Sequence, residues 1–256
     1  MKKNKLLSII LPAIFTSGNI LCGFISIQYI CRSNLGNMRF TYAAYFIILA
    51  MIFDIMDGRV ARLTKGTSNF GAEFDSLADL VSFGAAPAVL VYFKYFSGHE
   101  EVSNLGIFIS FIYLLCGAIR LARFNLNPTT DYFCGMPIPG GAALISTMVL
   151  FDSSLITGQK LDTHIYFLLL FVTLIGIMMV STVPYPCLKK NKGGKGKVNA
   201  AIKPIFSIII IAGCIISPEK FFFLMAISYA ISGPVYSFYQ LIKYDFNIEE
   251  LELEIK

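Results

Sequence analysis

Four aspartates set the chemistry this sequence can support. Asp54 and Asp57 are spaced i, i+3 and Asp75 and Asp79 i, i+4, so on helices each pair shares one face. All four lie in or at the ends of strongly apolar stretches, where an ionised carboxylate costs at least ~2.5–3.5 kcal/mol. Left uncompensated, four of them cost on the order of 10 kcal/mol, as much as a whole domain's stability. The neighbouring arginines are poorly placed to help. Arg59 is two residues from Asp57 and points around the helix, and Arg62 sits at the rim. Hard oxygen ligands without His or Cys suit Mg²⁺, Mn²⁺ or Ca²⁺. Four carboxylates can hold two such ions, an arrangement suited to displacement at phosphorus.

Spacing also sets depth. Asp54 lies eight residues before Arg62 and Asp79 eight after Gly71. With a loop over roughly 62–71, both acids fall about 12 Å below it at ~1.5 Å per residue. Asp57 and Asp75 form a shallower pair. Gly58, Ala61 and Gly71 flank the acids and allow a ligand or another helix to approach the backbone. In the first apolar run Pro12, Thr16, Asn19 and Gly23 form one polar or small stripe, either a site wall or a helix-packing seam. Two other readings compete for the acids. One is a set of helix-end aspartates wetted by interfacial water. The other is a divalent-cation transporter, which would favour acids spread across the bilayer and paired repeats. Here the acids cluster on one side, and no repeat is visible.

The elements that carry them are membrane spans. The chain has 256 residues, 56% hydrophobic and 14% charged, with a mean hydropathy of +0.69. Soluble domains carry about 25% charge, so this composition excludes an ordinary soluble fold. Runs near the ~20 residues needed to cross a bilayer lie at about 6–30, 41–61, 71–95, 105–123, 138–156, 165–186, 203–217 and 220–242. The expected fold is an all-α polytopic transmembrane bundle of about eight spans, a six-span core plus a C-terminal hairpin. The first run is too long for a secretory signal and lacks a small-x-small cleavage site.

With both termini in the cytoplasm, most of the 21 Lys and Arg residues fall inside, and only Arg32, Arg39, Lys94, Lys160 and Lys220 fall outside. The chain is thus expected to be a multi-pass protein of the cell membrane with its site facing the cytoplasm. Tyr29, Tyr92, Tyr95, Tyr166 and Tyr244 lie near span ends and, without any Trp, would supply the interfacial belt. The organisation reads as a transmembrane core over 1–188, a Lys/Gly-rich linker over 189–202, a hairpin over 203–242 and an acidic tail over 243–256 whose alternation of acids with Leu and Ile suits a short surface helix. The six cysteines match no zinc spacing, and no disulfide is expected. No nucleic-acid partner is expected either.

The string Asp54-x2-Asp57-Gly58-x2-Ala61-Arg62-x8-Gly71-x3-Asp75-x3-Asp79 resembles the signature of the CDP-alcohol phosphatidyltransferases. The resemblance implies a helical membrane enzyme, a homodimer, that transfers a group from a CDP-linked donor to an alcohol and releases CMP. It implies Asp54, Asp57 and Asp75 as metal ligands, with Asp79 contacting the second metal and acting as general base. Gly58, Ala61 and Arg62, with Thr16, Asn19, Thr67 and Gly71, would line the CDP-lipid site.

Three further segments narrow the likeness: Pro12-x3-Thr16-x2-Asn19, Arg120-Leu121-Ala122-Arg123-Phe124-Asn125 and Phe133-x-Gly135-Met136-Pro137-x-Pro139. With Val180-Ser181 and Tyr185-Pro186, they resemble the membrane-integral phosphatidylserine synthases of bacteria and archaea. One departure is Ala13, where that branch commonly has Asn. The likeness implies CDP-diacylglycerol and L-serine as substrates, with glycerol 3-phosphate or an inositol compound as alternative acceptors. Arg120, Arg123 and Asn125 would bind serine or phosphate. A physical argument supports the arginines, because serine's carboxylate pairs bidentately with guanidinium.

Overall fold

The structure is a computed structural model that describes residues 2–64, 68–126, 133–155, 161–185, 213 and 216–254. It is almost entirely helical. In chain order come α1 (Lys2–Ile30), α2 (Met38–Thr64), α3 (Asn69–Phe96), α4 (Glu100–Leu126), β1 (Phe133–Cys134), α5 (Ile138–Ser154), α6 (Ile165–Val180), β2 (Pro184–Tyr185) and α7 (Pro218–Glu254). Among the described residues five helices, α1, α2, α3, α4 and α7, are long and apolar enough to cross a membrane, and α6 is a shorter apolar helix. The expected linker and most of the 203–217 run lie outside the described residues.

The helices follow the apolar runs with three departures. The sixth run was expected to reach residue 186, but α6 ends at Val180, and the chain turns so that β2 pairs antiparallel with β1. The stretch expected as an acidic tail from residue 243 is helical and continues α7 as far as Glu254. Tyr95 is no belt residue: it is buried in the core. Its neighbour Lys94, expected at the outer surface, is buried too and pairs with Asp152 at 2.9 Å. Asp152 also accepts the Leu161 amide at 2.8 Å, so one buried acid ties α3, α5 and the approach to α6 together. A charge this deep is tolerable only when paired.

α3 is the most enclosed of the five membrane-capable helices, and proline shapes it. Pro87 lacks an N–H and crowds the carbonyl four residues earlier, that of Phe83. There α3 widens into a π-helical stretch over Leu80–Ala85, immediately after Asp79. The buried Tyr113 hydroxyl of α4 donates to the Phe83 carbonyl at 2.9 Å. α7 repeats the device: Pro234 leaves the Ala230 carbonyl to the Tyr185 hydroxyl, which donates to it at 3.0 Å. In both places a mid-helix proline becomes a docking point for a buried tyrosine.

The segment from Phe133 to Pro139 clamps the end of α6. The Gly135 amide donates to the Val183 carbonyl and the Met136 amide to that of Met178, both at 2.9 Å. Gly135 has φ +80°, and a Cβ there would stand 2.4 Å from the Met179 carbonyl oxygen. Only glycine fits. Gly135→Ala should therefore lower stability by about 1–3 kcal/mol. Thermal unfolding in detergent checks this, and an unchanged midpoint would mean that the clamp tolerates a side chain.

Candidate active site

The site lies where α2 runs into α3. Ser68 starts α3 as its N-cap, its hydroxyl accepting the Gly71 amide at 3.0 Å. That tight start sends α3 back beside α2 with the two aspartate pairs facing each other. One carboxylate oxygen each from Asp54, Asp75 and Asp79 lies within 4.8 Å of the others. Asp57, expected as an equal member, is held slightly apart: it accepts the Thr16 hydroxyl and lies against Asp75. Asp79 accepts the Asn19 amide at 3.0 Å.

The polar stripe of α1 is thus a packing seam and part of the site at once. Thr16 and Asn19 hold aspartates, whereas Gly23 lets α1 touch α3, a Cβ there meeting Ser82 Oγ at 2.4 Å. The Ser82 hydroxyl in turn donates to the Asn19 carbonyl at 2.8 Å, fixing the residue that fixes Asp79.

Like charges crowded in apolar surroundings repel, and no ion pair between described residues involves any of the four acids. Asp75 Oδ1 is buried and has no hydrogen-bond partner among the described residues. An all-carboxylate donor set with an unmet buried oxygen fits a hard divalent cation.

Beside the acids opens a cavity of about 250 Å³ lined by Thr16, Asp57, Gly58, Ala61, Arg62, Gly71 and Asp75, together with Pro12, Ala13, Ser68, Phe70 and Ala72. The residues expected to line the CDP-lipid site therefore border one cavity, except Asn19, which faces Asp79, and Thr67, which lies outside the described residues. Among the described residues a Cβ at Gly58 would meet nothing within 4 Å, so the glycine leaves room for a ligand there.

The three residues of the arginine motif separate. Arg120 is buried, its Nε has no hydrogen-bond partner among the described residues, and it lies close enough to Asp79 for their charges to interact. Arg123, expected beside it, instead donates to the carbonyls of Val180 at 3.0 Å and Ser181 at 3.3 Å. It satisfies the open end of α6, where helix carbonyls lack partners. Asn125 is exposed and donates to Ser76 Oγ at 3.0 Å and Glu73 Oε2 at 3.5 Å, bracing α4 against the start of α3.

Sequence reasoning missed Tyr113 and Ser82, which shape α3 around Asp79. A polar residue within an apolar run was their only signal.

The family model described as CDP-alcohol phosphatidyltransferase matches residues 9–184. The CDP-diacylglycerol–serine O-phosphatidyltransferase of Helicobacter pylori (strain ATCC 700392 / 26695) is 39% identical over 184 residues, covering 71% of this chain and 73% of its own. The enzyme of that name from Methanocaldococcus jannaschii is 43% identical over 141 residues, 55% of this chain and 61% of its own. That from Bacillus subtilis is 31% identical over 185 residues, 71% of this chain and 92% of its own.

Proposed function

This chain belongs to the CDP-alcohol phosphatidyltransferase family, and on that premise we propose that it transfers a phosphatidyl group from CDP-diacylglycerol to the hydroxyl of L-serine, giving phosphatidylserine and CMP. The observation that carries this reading is a buried arginine, its Nε without a hydrogen-bond partner among the described residues, close to the most buried of three converging aspartates. The acids suit a diphosphate bound through metal, and the guanidinium suits an acceptor that carries a carboxylate. The names of the relatives supply the acceptor itself.

Asp54, Asp75 and Asp79, with Asp57 alongside, would hold two divalent ions, Mg²⁺ or Mn²⁺, with Ca²⁺ as another possible occupant. When bound, such ions supply charge neutralisation for the diphosphate and for the departing CMP. The protein's own residues do the rest. The cavity bordered by Gly58, Ala61 and Arg62 receives the cytidine end, while the lipid tails stay in the bilayer. Arg120 grips the serine carboxylate and brings the hydroxyl toward Asp79. Asn19 occupies one Asp79 oxygen and leaves the other to take the hydroxyl proton. The serine oxygen then bonds to the phosphorus that bears diacylglycerol, the bond from that phosphorus to the bridging oxygen breaks, and CMP departs. Low-dielectric surroundings strengthen each of these electrostatic contacts.

The reading extends to a homodimer in the cell membrane with both termini and the site on the cytoplasmic face. The surplus of basic residues on that side supports the orientation. It also extends to a catalytic core over 1–188, followed by a linker, a membrane hairpin and an acidic tail.

The test is CMP release by the purified protein from CDP-diacylglycerol, with serine, glycerol 3-phosphate or an inositol phosphate as acceptor. Serine-dependent release should fall to background with chelator and return with Mg²⁺ or Mn²⁺. Release with another acceptor and not with serine overturns the acceptor. Metal uptake by vesicles without CMP release overturns the enzyme.

A further inference from the structure

The cavity beside the acids has two unlike ends. Asp57 on α2 and Asp75 on α3 border one of them, and Arg62 and Phe70, farther along the same two helices toward their connection, border the other. Phe70 stands five residues before Asp75, about 7.5 Å along the helix axis at ~1.5 Å per residue. Between the two ends α2 and α3 contribute only Gly58, Ala61, Gly71 and Ala72, so a ligand can lie close against the backbone there.

Phe70 lines the cavity and is nevertheless 70% exposed. Its ring lies parallel to that of Phe74, one turn further on, with 5.9 Å between centroids and 11° between planes. Offset stacking of this kind is a preferred aromatic geometry and holds both rings in place. Phe74 covers one face of Phe70, and the exposure of the residue leaves the other open.

A CDP-linked donor carries a ribose and a planar pyrimidine beyond its diphosphate. With the diphosphate at the acid end, the ribose spans the wall of small residues and the base comes level with Phe70. Nucleobases stack on aromatic side chains through their π faces. We propose that Phe70 is the shelf on which the cytosine ring of the donor stacks, with Phe74 supporting it from behind. The proposal rests on the CDP-lipid reading given above and deepens it. An exposed aromatic pair near a span end can also serve as an interfacial anchor. An anchor, however, has no need to border the site, and its contribution depends on apolar area, not on a nucleotide.

The test measures equilibrium binding of CMP and of ribose 5-phosphate to the full-length protein in detergent micelles with Mg²⁺. Ribose 5-phosphate offers the same sugar and phosphate without the base. Wild type is compared with Phe70→Leu, which keeps an apolar side chain but loses the π face, and with Phe70→Tyr, which keeps the ring. Phe70→Leu should weaken CMP binding about 5–30-fold, the range expected for losing base–aromatic stacking. Its affinity for ribose 5-phosphate should stay within twofold of wild type. The KM for CDP-diacylglycerol should rise in step with the CMP constant, and the KM for serine should stay within twofold. Phe70→Tyr should bind CMP within threefold of wild type.

Unchanged CMP binding in Phe70→Leu overturns the proposal. So does an equal loss for CMP and ribose 5-phosphate, which marks a collapsed cavity, or a loss in Phe70→Tyr as large as that in Phe70→Leu. A wild type that binds no CMP overturns the underlying CDP-lipid reading instead, so the two failures are distinguishable.

Discussion

Asp79→Asn should lower CMP release about 10²–10⁴-fold while CDP-diacylglycerol binding persists. The factor is what a positioned general base contributes to a proton transfer. The substitution is nearly isosteric, and the new amide oxygen can still accept the Asn19 side chain, so the packing of α1 on α3 need not change. What disappears is a carboxylate oxygen able to take the proton of the acceptor hydroxyl. Turnover and equilibrium binding of the CDP-lipid have to be measured on the same preparation. Near-normal turnover removes Asp79 as the base. Loss of lipid binding along with turnover makes retention of metal, not proton transfer, its main task.

Replacing Arg120 with Ala should raise the KM for serine about 10–100-fold, with the KM for CDP-diacylglycerol within twofold. Charge-assisted hydrogen bonds of this kind contribute about 1.5–3 kcal/mol each, and ~1.4 kcal/mol is a factor of ten. Arg120→Lys should recover only part of the loss, because an ammonium cannot pair with a carboxylate through two parallel bonds. Arg123→Ala is the internal control. Its guanidinium holds the Val180 and Ser181 carbonyls, so its loss should appear first as a lower melting temperature. A uniform loss of affinity for both substrates in Arg120→Ala would demote it to a structural role.

Much of this is legible in the sequence. The aspartate spacing gave two facing pairs on antiparallel helices, because helical periodicity turns i+3 and i+4 into shared faces. The small residues beside them indicated a cavity wall, and Gly58 and Ala61 line one. The arginine motif was harder. Arg120 and Arg123 are i, i+3 and look equivalent in sequence, yet one faces Asp79 and the other caps α6. A small rotation about the α4 axis separates them, and only the packing of α4 against its neighbours sets it.

The glycine- and proline-rich segment from Phe133 to Pro139 was legible as a motif but not as a clamp. Its function depends on Gly135 meeting a carbonyl some forty residues away. Lys94 and Asp152 were unreadable for a similar reason. A lone charge near a span end looks solvated until its distant partner is known.

The sequence by itself determined that this is a helical membrane protein with four acids gathered at one end of two helices. Those facts follow from local periodicity and from the cost of placing charge in an apolar medium. Only the tertiary structure decided that three of the acids converge while Asp57 leans on Thr16, and that Arg120 lies near Asp79 while Arg123 holds the end of α6. Each depends on contacts between residues far apart in the chain, and no local rule of spacing can carry that information.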